Sequence, residues 1–340
     1  MRRLRWLALL SALAGLALAG GCAGWPSAGL PEGRGAPAPS GTAAPDRKYR
    51  IVYVQGVTGN PFFTSLTCGA QAEAESLGTV DFTYQGGQNY TPEAQTRVLN
   101  AVIARRPDAI IISPMAGQAM VPPLTQAKQA GITLVFADTT AADASLAASF
   151  VASDNTEGGR FAANYLARLL NGQGKVLIES CAAGISTCDE RLKGFGEEMK
   201  NYPGIEPIAT QYSQADPSKA TSHVSAVLSA HPDLAGVFAV STQEVEGAAI
   251  ALTQAGKQGA IKLVGFDTSP PILEHLRNGV VHGLVVQEPA KMGSIAMQQA
   301  VAALSGRPTI PVITTHFVLL TRDNMNDPGV AKFIYKTTCP

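Results

Sequence analysis

The chain has 340 residues, 46% of them hydrophobic, and its 26 Lys+Arg are matched by 26 Asp+Glu. That length exceeds one ordinary core and suits two domains of about 150 residues each. Without net charge there is no field to attract the phosphates of nucleic acid, and the apolar content excludes wholesale disorder.

In chain order, Arg2, Arg3 and Arg5 precede an apolar run from Trp6 to Ala19, after which small residues lead to Cys22. A basic head, a short apolar stretch and a small-residue exit describe an export signal. The run falls short of the ~20 residues that span a bilayer. Leu18-Ala19-Gly20-Gly21-Cys22 resembles the lipobox of bacterial lipoproteins, in which signal peptidase cuts before a diacylated cysteine, although Leu18 sits one place further from Cys22 than the usual leucine. The resemblance implies a signal peptide over 1–21, lipidation at Cys22 and an extracytoplasmic protein anchored to the cell membrane; an ordinary cleaved signal with an incidental cysteine is the alternative. Arg2-Arg3 lacks the rest of a twin-arginine motif, so the general secretion route is expected. Cleavage there removes three arginines and no acid, which leaves 23 basic against 26 acidic residues. From Ala23 to Asp46 the chain is mostly Ala, Gly, Pro and Ser and cannot bury enough apolar surface to fold. Residues 22–48 therefore read as a lipidated N-terminus and tether.

Four further cysteines face an oxidising compartment. Cys181 and Cys188 lie seven apart in a Gly- and Ser-containing loop, where a bridge is expected. Cys68 paired with Cys339 would tie the first helix to the C-terminal tail; two buried free thiols are the alternative.

Beyond the tether, apolar runs of strand length recur at 50–54, 80–84, 109–112, 133–137 and 148–152, then at 175–179, 206–212, 236–240, 262–266, 283–287 and 315–320. Helical stretches rich in Ala, Leu, Gln and Glu separate most of them, at 61–77, 92–105, 118–130, 156–170, 189–201, 217–229 and 243–255. Near-continuous apolar strands alternating with amphipathic helices predict parallel sheets covered on both faces. The fold class is α/β, with two doubly wound parallel-sheet units near 49–152 and 154–286.

Open parallel sheets bind ligands beyond the carboxyl ends of their strands. At those ends stand Asn60-Pro61-Phe62-Phe63, Asp138-Thr139, the Cys181–Cys188 loop followed by Arg191, Ser241-Thr242, Asp267 and Gln287. Singly, each has a bland reading: Asp138 and Asp267 as helix caps, Arg191 as a solvated helix residue, Phe62 and Phe63 as core. Their joint placement favours a binding cleft.

Asn60-Pro61-Phe62-Phe63, the Asp138 position, Ala152-Ser153-Asp154-Asn155, Arg191-Leu192-Lys193-Gly194-Phe195, Ala230-His231-Pro232-Asp233, Val264-Gly265-Phe266-Asp267 and the run from Val318 to Asn324 come in a telling order. With these residues the chain, from about Tyr49 to Met325, resembles the sugar-binding periplasmic proteins of bacterial ABC importers, the cluster typified by ribose-binding protein. The resemblance implies two lobes joined by three crossings near Ser153–Asn155, Gln287–Glu288 and Thr314–His316. The N-terminal lobe would then hold 49–153 plus 288–314, and the C-terminal lobe 154–287 plus 315–340. Contact positions carry over as Asn60, Phe62, Phe63, Asp138, Arg191, Asp267 and Gln287. Thr139, Ser241 and Ala215 stand where the ribose-type pattern has Arg, Asn and an aromatic wall, which implies a roomier and less charged pocket. Gln55, Thr242 and Gln243 are candidates to replace the missing donors.

The implied ligand is a monosaccharide or polyol. Carboxylates accept from ring hydroxyls while Arg and amides donate to them, and the phenyl rings pack on the apolar face of a sugar. The implied partners are the transmembrane subunits of an ABC permease, and a monomer without cofactor is expected. A sensor that presents a sugar-like signal to a membrane receptor would have the same lobes. For an enzyme the chain lacks G-x-S-x-G, H-E-x-x-H, a P-loop, paired CxxC motifs and metal-ligand histidine spacing. A sugar-responsive repressor would need a DNA-binding head where the export signal stands.

Overall fold

Apolar strands that alternate with amphipathic helices can hide their backbone polar groups only by pairing side by side under a helical cover. A computed structural model describes Arg47–Cys339, so the predicted export signal, Cys22 and the tether through Asp46 lie outside the described residues. The first half runs β1 (Tyr49–Gln55), α1 (Pro61–Leu77), β2 (Val80–Gly86), α2 (Pro92–Ala104), β3 (Ala109–Ile112), α3 (Val121–Gln129), β4 (Thr133–Ala137) and β5 (Ser149–Ser153). The second repeats the plan with α4 (Asn155–Leu169), β6 (Gln173–Ser180), α5 (Ser186–Met199), β7 (Gly204–Tyr212), α6 (Pro217–Ala230), β8 (Leu234–Ala239), α7 (Thr242–Gln254), β9 (Lys262–Phe266), α8 (Pro270–Arg277) and β10 (Val281–Gln287). Then follow α9 (Pro289–Leu304), β11 (Val312–Thr315), β12 (Phe317–Leu320) and the single turn α10 (Pro328–Ala331).

The strands form two six-stranded sheets, ordered β2-β1-β3-β4-β5-β11 and β7-β6-β8-β9-β10-β12. Every pairing in the first is parallel; in the second, β12 alone runs antiparallel, against β10. Both sheets thus share the doubly wound order whose ligand crevice lies beside the first strand. Strands such as β3 are buried along their whole length, as a sheet covered on both faces requires. The two-lobed α/β expectation agrees with this architecture.

The chain passes between the sheets at Asp154, at Glu288 and at His316. The single last strand expected at 315–320 is instead two strands in different sheets. His316 turns the chain between them, its N–H donating to Glu288 Oε2 at 3.2 Å. Beside this crossing, the hydroxyls of Ser153 and Thr315 meet at 3.2 Å.

After β12 the chain returns to the first lobe, where Cys339 is disulfide-bonded to Cys68 of α1. Cys181 and Cys188 are also bonded. Cys188 lies in the first turn of α5 rather than in a loop, because the helix begins three residues before the expected Asp189.

Candidate functional site

Between the lobes lies a cavity lined from the first lobe by Asn60, Phe62, Phe63, Tyr90 and Asp138. The second lobe supplies Thr187, Cys188, Arg191, Ser241, Thr242, Gln243, Asp267 and Gln287.

Asn60 caps α1: its Oδ1 accepts from Phe62 N–H at 2.8 Å, ahead of Pro61 in the first turn. The cap occupies the carbonyl and leaves the amide N–H₂ for a ligand. Phe62 and Phe63 stand edge to face at 5.4 Å, and Phe63 stacks on Tyr90 at 6.3 Å. They are buried, as the bland reading held, and they also wall the cavity.

Asp138 and Asp267 follow the equivalent strands β4 and β9. Each takes a left-handed backbone, at φ 71 and 72, and each donates its N–H to the neighbouring strand, to Val151 O and Val285 O. Neither caps a helix. A non-glycine residue held there is strained by about 1–3 kcal/mol and persists only where its surroundings enforce it; both turns aim a carboxylate into the cleft. Their side chains then differ. Among the described residues nothing donates to the carboxylate of Asp138. Burial pushes it up to about 7, with Arg191 opposing the rise and Asp267 adding to it. Asp267 Oδ1 instead accepts from Gln287 Nε2 at 2.9 Å and from Tyr335 Oη at 2.8 Å, and its Oδ2 lies 3.8 Å from Arg191 Nη1.

Arg191 is only 2% exposed, which corrects its reading as a solvated helix residue. Nε donates to Asn155 Oδ1 at 2.9 Å, Nη1 to Val240 O at 2.8 Å, and the guanidinium lies 4.0 Å above the Phe266 ring. Its helix can come this close because Gly159 of α4 and Gly194 of α5 face each other's backbone, and a Cβ on either would collide. These contacts pin the fork and leave Nη2 for a ligand.

Behind Ser241 lies a second buried network. Glu244 accepts from the hydroxyls of Ser213 and Ser241, and Glu179 Oε1 meets His223 Nδ1 at 2.9 Å. Burial pushes Glu179 up to about 8, with the Glu244 charge adding to it. Burial also pushes Glu244 up to about 7, against the pull of its two serines. With the Ser241 proton directed to Glu244, its oxygen faces the cavity as an acceptor.

Of the residues expected at the site, Asn60, Phe62, Phe63, Asp138, Arg191, Ser241, Asp267 and Gln287 line the cavity together; Thr139 does not. Its hydroxyl is buried beside Asp138 without a partner among the described residues. Gln55 is likewise no replacement donor, since it is buried and donates to Thr67 Oγ1 at 2.8 Å, whereas Thr242 and Gln243 do line the cavity. Ala215 instead borders an outer groove, which shares Asn60, Tyr90, Thr242 and Gln243 with the cavity. Sequence reasoning missed Tyr90, although it follows β2 and so stands at a strand end. It also missed Thr187, which opens α5, and Tyr335, for which no local pattern gave a signal.

Elsewhere the lobes touch: Gly117 N donates to Gly184 O at 2.9 Å, and Thr140 N to Ser186 Oγ at 3.1 Å. Gly184 and Ser186 belong to the segment that the Cys181–Cys188 bridge closes. Among the described residues there is no cluster of metal-ligating side chains, and no helix is long and apolar enough to cross a membrane.

Two doubly wound lobes that meet over a cavity lined from both sides define a hinged ligand-binding protein. The family model described as periplasmic binding protein domain matches residues 51–308, and the chain belongs to that family, whose members are substrate-binding proteins rather than enzymes. It is 30% identical over 259 residues to the ribose import binding protein RbsB of Escherichia coli K12, covering 76% of this chain and 86% of RbsB. An ABC transporter solute-binding protein from Agrobacterium vitis, solved with bound α-D-tagatopyranose, is 37% identical, has a TM-score of 0.83, and is matched over 85% of this chain and 100% of its own. A carbohydrate transporter solute-binding protein from Agrobacterium radiobacter, in complex with D-arabinose, is 28% identical with a TM-score of 0.80, over 84% of this chain and 99% of its own.

Proposed function

We propose that this protein captures a monosaccharide or polyol between its lobes, at Asn60, Phe62, Phe63, Asp138, Arg191, Ser241, Asp267 and Gln287, and delivers it to an ABC permease by hinge closure. The observation that carries this reading is the cavity lining: two carboxylates, a guanidinium and amides face two phenyl rings. Ring hydroxyls both donate and accept, so they match carboxylate acceptors beside Arg and amide donors. The C–H face of a sugar matches the rings. Ligand that bridges both lobes favours the closed state by the contacts it makes only there. The relatives solved with α-D-tagatopyranose and D-arabinose support this class. The lobe boundaries, 49–153 plus 288–314 and 154–287 plus 315–340 with the tail reaching back, follow from the same reading. The basic head, apolar run and Cys22 support export and lipid anchoring on the extracytoplasmic side.

Thermal shift against D-tagatose, D-arabinose, D-ribose, D-allose and myo-inositol tests the ligand class. A sugar at 100 times its Kd should stabilise the fold by about 2.7 kcal/mol. A melt that no carbohydrate shifts, but an amino acid or nucleoside does, sinks the assignment.

A further inference from the structure

The tail beyond β12 enters the floor of the site from outside both sheets. Tyr335 N–H donates to Thr268 Oγ1 at 3.0 Å in the second lobe, while Lys336 N–H donates to Ser65 Oγ at 2.6 Å in α1 of the first. Three residues later Cys339 is bonded to Cys68 of the same helix, with Cα atoms 5.1 Å apart. The tail therefore grips both lobes at the base of the cleft.

The Tyr335 side chain, 7% exposed, lies between ligand-facing groups of both lobes. Its ring meets Phe62 at 5.6 Å, edge to face. Its hydroxyl donates to Asp267 Oδ1 at 2.8 Å and accepts from the Gln287 backbone N–H at 3.0 Å. Burial, and then the Asp267 charge, hold the phenol well above its ordinary range, so it stays a donor. Since Gln287 Nε2 also donates to Oδ1, that oxygen is filled twice and Oδ2 is the one left for Arg191 and the cavity. Among the described residues, Gln287 Oε1 has no partner.

We propose that Tyr335 is a positioning residue of the ligand site, acting through Asp267, and that the tail carrying it, closed by Cys68–Cys339, is a fourth tie between the lobes. This rests on the sugar-binding reading of the cleft. The phenol selects which carboxylate oxygen meets a ligand hydroxyl and fixes the plane of that carboxylate, while the covalent end of the tail keeps the ring seated.

The test is calorimetric titration of the full chain and its variants with the tightest binder among D-tagatose, D-arabinose, D-ribose and D-allose. Tyr335→Phe keeps the ring and removes the hydroxyl; it should weaken binding about ten- to a hundredfold, the range of a hydrogen bond to a charged group. In an Asp267→Ala background the same change should cost little more than Asp267→Ala alone, because the carboxylate through which the hydroxyl acts is already gone. A merely structural tyrosine would give additive losses. Cys68→Ser with Cys339→Ser is the second route if Tyr335→Phe does not fold: freeing the tail should weaken binding, and again not in the Asp267→Ala background. Unchanged affinity in the variants, or full additivity, overturns the proposal. An unmodified chain that no carbohydrate or polyol stabilises, while an amino acid or nucleoside does, overturns the sugar reading instead, and the proposal with it.

Discussion

The two lobes have the same strand order and the same strained aspartate after the equivalent strand, yet they prepare those aspartates in opposite ways. In the first lobe, Asp138 stands beside phenyl rings with no donor among the described residues, and burial pushes it up to about 7. In the second, Asp267 is held by Gln287, Tyr335 and the Arg191 charge. The first lobe thus supplies an apolar platform and a carboxylate waiting for a partner, and the second a polar frame satisfied before ligand arrives. Preorganised groups hold geometry without further ordering cost, while an unpartnered buried carboxylate gains most when a ligand hydroxyl reaches it.

Three experiments would sharpen or break this contrast. The largest effect is expected from Arg191→Ala, which strips the second lobe's frame of its cation and leaves Asp267 buried without a counter-charge. Breaking a buried pair in this way costs about 3–5 kcal/mol, so chemical denaturation should show a large loss of stability together with lost sugar affinity. Unchanged stability would mean that the frame is not preorganised by charge.

Next, Asp138→Asn and Asp267→Asn should separate the two preparations. Each should weaken sugar binding by about ten- to a hundredfold, the range of a charge-assisted hydrogen bond. Without ligand, Asp138→Asn should be neutral or stabilising, because it removes a buried carboxylate that no hydrogen-bond donor satisfies, whereas Asp267→Asn should destabilise. Equal melting shifts in the ligand-free variants would erase the distinction.

The smallest effect is a pH dependence. Asp138, Glu179 and Glu244 are all raised by burial, to about 7, 8 and 7, from unfolded values near 4. The folded state therefore holds protons that the unfolded state has lost, and stability falls as pH rises through this range. Burial lowers His282 to about 4. It contributes the opposite slope, but only between about 4 and 6.5, where the unfolded imidazole still binds a proton. From pH 6.5 to 8.5 the carboxylates alone remain of these four, so the ligand-free melting temperature should decline by a few degrees. Over the same interval sugar affinity should rise as Asp138 becomes an acceptor. A ligand-free melt that climbs with pH would contradict the burial of these groups.

Much of this site was legible before any fold was drawn, because its residues sit at strand ends, and strand ends are marked by a local change from apolar run to polar cluster. Asp138, Arg191, Asp267 and Gln287 were found that way. Thr139 was not separable from Asp138, since adjacent residues after a strand point to different sides and only the packed structure says which side is the cavity. Gln55 failed for a similar reason: its amide is consumed by Thr67, a hydrogen-bond partner invisible to spacing.

By itself, then, the sequence determined two parallel-sheet units and the polar groups at their strand ends, since these follow from periodicity and residue type along short stretches; the cleft between lobes and its sugar-type ligand were implied by the resemblance those residues carry. The tertiary structure alone decided that Cys68 meets Cys339, 271 residues away, that Tyr335 reaches Asp267, and that Glu179 and Glu244 share one buried network. Those juxtapositions depend on how whole elements pack, and a chain pattern of period two or 3.6 carries no information about partners so far apart.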